Sequence, residues 1–144
     1  MARPLLIDGH SVLYAWPELR ALHQRNPRQA RETLIAHLRR FHDAGNWNVT
    51  LIYDGQTGGP AMRGHPGDME VFYSKAGQSA DSIIEALVAR HAQPGEITVI
   101  TADGGERSVV EGLGAFCMSP DWLKMEIESV LGDFEEELRR FKGR

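Results

Sequence analysis

Leu5-Leu6-Ile7-Asp8-Gly9-His10-Ser11 is a short apolar run that stops at an acid and a glycine. Apolar residues in unbroken succession suit a strand buried on both faces of a parallel sheet, and Asp-Gly marks the turn out of it. Asp8 then belongs at the strand's carboxyl end, the edge where open α/β sheets form ligand crevices. Taken singly, the acid is equally well explained as a helix cap or turn former. The pattern recurs, however. Val49-Thr50-Leu51-Ile52-Tyr53 runs into Asp54-Gly55, and Ile97-Thr98-Val99-Ile100 leads through Thr101-Ala102 to Asp103-Gly104-Gly105.

Helical patterns separate these runs. Val12, Leu13, Trp16 and Leu19 predict a short helix that Pro17 breaks, followed by a corner and an irregular turn. Asn26-Pro27 starts a longer helix with the stripe Ala30, Leu34, Leu38 and Phe41, which Gly45 stops. Arg28, Arg31, Arg39 and Arg40 around that stripe read as a solvated face. Gln56 to Asp68 is a glycine-rich loop carrying Arg63 and His65, which reads equally as a loop that closes over a substrate and as a disordered insertion. A strand follows at Met69 to Ser74, with Val71 and Tyr73 on one face and Phe72 on the other.

Ser79 caps a helix with the stripe Ile83, Ile84, Leu87 and Val88, on which Asp81 and Glu85 share a different face. A first-turn acid gains from the helix dipole, which by itself accounts for Asp81. A short helix through Arg107 and Val110, a fifth strand at Ala115 to Met118 and a helix opening at Ser119-Pro120 complete the order. The stripe of that last helix, Leu123, Ile127, Val130, Phe134, Leu138 and Phe141, is expected to cover the core, with an interruption at Gly132-Asp133. Alternating strands and helices imply an α/β fold: a mostly parallel central sheet of about five strands flanked by helices.

The 144 residues suit one domain, 1–144, with 42% hydrophobic and 25% charged residues, ordinary for a globular protein. No run approaches a membrane span and the N-terminus enters the first strand directly, so a cytoplasmic location without membrane partners is expected. The lone Cys117 excludes an internal disulfide and a Cys-based zinc site, and reads as a small strand residue. Six histidines show no ligand or triad spacing and read as surface or packing residues. A net charge of −4 argues against broad electrostatic binding of nucleic acid, without excluding a local basic rim.

Right-handed crossovers bring the carboxyl ends of parallel strands to one edge, so Asp8, Asp54 and Asp103 converge there, with Asp81 just inside the following helix. Unpaired carboxylates in one place raise one another's pKa, and the arrangement asks for a cation. An all-oxygen site suits Mg²⁺ or Mn²⁺, which activates water and supports phosphodiester hydrolysis.

In sequence order these runs, and above all Lys75-Ala76-Gly77-Gln78-Ser79-Ala80-Asp81-Ser82-Ile83-Ile84-Glu85, resemble the YacP-type NYN domain family, a branch of the PIN-like nucleases. The resemblance spans almost the whole chain. It implies a PIN-like three-layer fold and a divalent-metal RNA endonuclease, with related bacterial proteins acting on messenger RNA in association with the ribosome. It also implies Asp8, Asp81 and Asp103 as the main catalytic metal acids, supported by Asp54 and Glu85. Ser11, Arg63, Lys75 and Arg107 are expected to bind substrate, and the chain to be a monomer or weak homodimer. Two positions depart from the family pattern. His10-Ser11 stands where Tyr-Asn is usual, keeping a hydroxyl but no amide, and Gly104 stands where a larger polar residue usually follows the acid. A catalytically decayed RNA- or ribosome-binding module is the alternative; a phosphoacceptor receiver domain would need an acid pair after the first strand, where only Asp8 stands.

Overall fold

In the computed structural model, which describes residues 2–55, 67–91 and 93–132, the apolar runs form strands β1 (Arg3–Asp8), β2 (Trp47–Tyr53), β3 (Glu70–Tyr73), β4 (Thr98–Ile100) and β5 (Phe116–Met118). Every pairing is parallel, in the order β3-β2-β1-β4-β5. Side chains alternate between faces. Leu5 and Ile7 join one apolar cluster and Leu6 the other, while Ile100 and Val99 divide in the same way. Phe72 likewise packs with the cluster opposite the one holding Val71, as its position in β3 predicts.

The first cluster is covered by α1 (Gly9–Ala15), α2 (Pro17–Arg25), α3 (Pro27–Asp43) and α6 (Pro120–Leu131); the second by α4 (Ala80–Arg90) and α5 (Gly104–Gly112). Asn26 caps α3 by accepting from the Gln29 amide, and Ser79 caps α4 by accepting from the Ser82 amide. Trp16 at the α1–α2 corner donates from Nε1 to the Pro120 carbonyl at 2.9 Å, tying that corner to α6. Buried His42 accepts from the Val49 amide at Nδ1, so its Nε2 carries the proton given to the Gly67 carbonyl. Burial pushes the Cys117 thiol up, consistent with a packing residue.

Four expectations need revision or fall outside the described residues. Pro17 does not lead into an irregular turn: at the first helical position its missing amide has nothing to lose, and α2 continues for nine residues. Arg31 is not on a solvated face; it is buried, and its carbonyl accepts from the Tyr53 hydroxyl. The last described helix stops at Leu131, where Gly132 takes a positive φ of 76°; Phe134, Leu138 and Phe141 lie outside the described residues, as do residues 56–66 of the glycine-rich loop. Among the described residues no helix is long and apolar enough to cross a membrane.

From β1 the chain steps outward to β2 and β3, then returns to β4 on the other side of β1 before continuing to β5. The direction of winding therefore reverses between β1 and β4. Connections leaving those two strands diverge to opposite faces, which opens a crevice at their carboxyl ends.

Candidate metal centre

Asp8 ends β1 beside that crevice and is buried. It occupies the N-cap position of α1, yet its side chain makes no capping bond there. Instead Asp8 Oδ2 accepts from the Ser11 hydroxyl at 2.9 Å, and Ser11 Oγ accepts from the Ala102 amide at 3.0 Å. Ser11 thus joins the end of β1 to the segment after β4, which is what the hydroxyl retained at this position does in the fold. Burial pushes the Asp8 carboxyl up, partly offset by the Ser11 bond and the charge of His10.

Asp103 opens α5, where Oδ1 accepts from the amides of Gly105 at 2.8 Å and Glu106 at 3.3 Å. Using one oxygen for both bonds leaves Oδ2 outside the cap. The next residue, Gly104, would place a Cβ in open space, so a larger side chain has room here. Asp54 is exposed after β2; its Oδ1 accepts from the Ala80 amide, bracing the start of α4 against the end of β2. Asp81 and Glu85, one turn apart on α4, are both half-buried.

Asp81 distinguishes a site from a helix cap. A dipole effect alone would hold its carboxyl down. It is instead raised, first by burial and then by the negative charges of Asp8, Asp103, Glu85 and Asp54. The other four acids named from the sequence therefore all reach Asp81 across the strand ends.

Glu106 joins them, and nothing in its local sequence singles it out. Its position three residues after Asp103 has the spacing of a capping box, which would turn the side chain back to the Asp103 amide. That amide donates to Thr101 Oγ1 instead. Glu106 is buried, 5% exposed, and its Oε1 has no hydrogen-bond partner. Burial, a hydrogen bond with Glu85 and the charges of Asp81, Glu85 and Asp103 push its carboxyl up to about 8. A buried oxygen with no partner among several acids is a donor set that fits a hard cation. Among the described residues no three His, Cys, Asp or Glu side chains are already gathered tightly enough to grip one ion. The acids are in electrostatic range of each other without forming a closed shell.

The expected substrate-binding residues divide. Lys75 lies with His10, Asp54, Ser74 and Gln78 around a cleft of about 550 Å³ beside the acids. Arg107 instead turns along α5 to pair with Glu111 at 2.9 Å. Arg63 lies outside the described residues. His10, read as a surface or packing residue, stands at the cleft, and its place there depends on Gly9: a Cβ on Gly9 would fall 2.3 Å from the Tyr53 ring.

The raised carboxyls set a pH dependence. A group whose pKa is higher folded than unfolded holds more protons in the native state, so stability falls as pH rises between the two values. With chelator present, the unfolding free energy should therefore decline as pH rises from 4.5, the ordinary glutamate value, to about 8. Asp8 and Asp81 contribute in the same sense from 3.8 upward. Glu106→Gln should flatten the upper part of that decline in urea titrations; an unchanged slope would show that Glu106 is not the buried acid responsible.

The profile of the YacP-like NYN domain family matches residues 5–144. Over 138 residues the chain is 28% identical to the uncharacterized protein YacP of Bacillus subtilis strain 168, covering 94% of this chain and 81% of the relative. Two crystal structures of Rae1 (YacP) from Bacillus subtilis, one of a point mutant, superpose with TM-scores of 0.75 at 27% identity. The mutant structure covers 98% of this chain and 84% of its own; the other covers 96% and 81%.

Proposed function

Because the chain belongs to the YacP-like NYN domain family, whose members are typically nucleases, we propose that it is a divalent-metal-dependent RNA endonuclease. The observation that carries this is the field at Asp81, where the charges of four other acids meet at the carboxyl edge beside the switch in strand order. Messenger RNA engaged with the ribosome is the substrate proposed from the resemblance.

Asp8, Asp81 and Asp103 would hold Mg²⁺ or Mn²⁺, with Glu85 and Asp54 supporting and Glu106 behind Glu85. When bound, such an ion polarises a phosphate oxygen and makes water a better nucleophile near neutral pH. The protein's own contribution is positional. Ser11 orients Asp8. The first amides of α5 orient Asp103. Lys75, at the adjoining cleft, would neutralise a flanking phosphate.

Cleavage of a labelled RNA in Mn²⁺ or Mg²⁺, abolished by chelator, is the expected result. One observation favours a second reading, an RNA-binding module without catalysis: no three acids are gathered round a point among the described residues. A melting curve separates the two. An ion that binds only the folded chain must raise its melting temperature, by about 2.7 kcal/mol of stability at a hundredfold excess over Kd. No shift at millimolar Mn²⁺, with no cleavage, would leave only the binding module.

A further inference from the structure

Tyr14 projects from α1 with 57% of its surface exposed, although Val12 and Leu13 beside it are fully buried. Two imidazoles neighbour its ring. His10, one turn earlier, stacks on it with centroids 6.3 Å apart and planes 28° apart. His23, brought alongside by the corner at Trp16, lies 5.5 Å away and tilted by 59°. His10 in turn meets buried Tyr53 edge-on at 6.1 Å, so the row is anchored in the core at its inner end. That inner end is also the candidate site: His10 stands at the cleft with Asp54 and Lys75. Exposed Arg20, three residues before His23, shares its side of α2.

Three rings thus lead outward from the acids over α1 to α2. Unpaired bases stack on such rings irrespective of sequence, whereas bases in a duplex are already stacked on each other and cannot. A chain of net charge −4 also gains less from phosphate contacts than a basic protein does, which raises the weight of stacking in any affinity it has. We propose that His10, Tyr14 and His23 form a base-stacking track along which single-stranded RNA enters the acid crevice, with Tyr14 as its main platform. The proposal deepens, and rests on, the nuclease reading above.

The test uses the full-length Asp8→Asn chain in Mn²⁺, so that RNA stays intact, and follows binding of a labelled single-stranded oligoribonucleotide by anisotropy. Adding Tyr14→Ala to this parent should weaken binding roughly ten- to a hundredfold, with Tyr14→Phe restoring it, since the face and not the hydroxyl does the stacking. An oligonucleotide with abasic sugars should weaken binding to the parent by a similar factor, and the two losses should not add. Duplex RNA should bind the parent and the Tyr14→Ala chain alike. Equal binding of single strands by the Tyr14→Ala and parent chains, as a protein-contact role for the row would give, overturns the track while leaving the nuclease reading intact. Fully additive losses overturn it as well. A parent that binds no RNA, together with an unmodified chain that cleaves none, overturns both.

Discussion

Asp8→Asn should lower metal-dependent RNA cleavage by roughly a hundred- to a thousandfold, the scale on which removing one preorganised electrostatic group acts. The side chain is nearly inaccessible and its Oδ2 accepts from Ser11, a bond that the isosteric amide oxygen can keep. The substitution therefore removes charge and leaves shape. Its second consequence has the opposite sign. Burial already pushes the Asp8 carboxyl up, and its charge is one of those acting on Asp81, so the neutral variant should melt higher than the parent in chelator. Its gain in melting temperature on adding Mn²⁺ should shrink. Loss of activity with a higher metal-free melting temperature is the signature of an acid kept for function at the expense of the fold. Equal cleavage by parent and variant would remove Asp8 from the site.

Gly55→Ala should cost more than about 3 kcal/mol, and with it roughly 10 °C of melting temperature. An added Cβ would lie 1.0 Å from the Ser74 carbonyl oxygen and 2.1 Å from its carbon. Both are backbone atoms, so no side-chain rotation relieves the clash. The Ser74 amide donates to the Tyr53 carbonyl at 2.9 Å, and the Gly55 amide donates to Ser74 Oγ at 2.7 Å. Relief requires prising apart the carboxyl ends of β2 and β3, where Asp54 braces α4 and so helps place Asp81. The damage should therefore reach activity as well as thermal unfolding. Gly104→Ala is the control: its Cβ meets nothing within 4 Å, and melting should change little. A Gly55→Ala chain that melts with the parent would show that the two strand ends can separate at little cost.

The strands are legible in the sequence because burial on both faces leaves a local mark: Leu5-Leu6-Ile7 and Val49 to Tyr53 are continuous apolar runs ending at acids. Caps are legible for the same reason, since Asn26 and Ser79 act on amides three residues away. Pro17 misleads because the same residue breaks one helix and starts another, and only the corner at Trp16 distinguishes the cases. Arg31 and Arg107 look alike in composition, yet one is drawn in beneath Tyr53 while the other is held by Glu111.

The order of apolar runs, turns and acids is enough to specify a parallel sheet with Asp8, Asp54 and Asp103 along one edge, because strand direction and crossover hand allow little else. Packing in three dimensions is what turns Glu106 inward to Glu85, ties Ser11 to the Ala102 amide, and sets His10 against Tyr53 beside the crevice. Those outcomes depend on segments tens of residues apart excluding water from the same few atoms. Such burial belongs to the packed assembly, and no short window of sequence contains it.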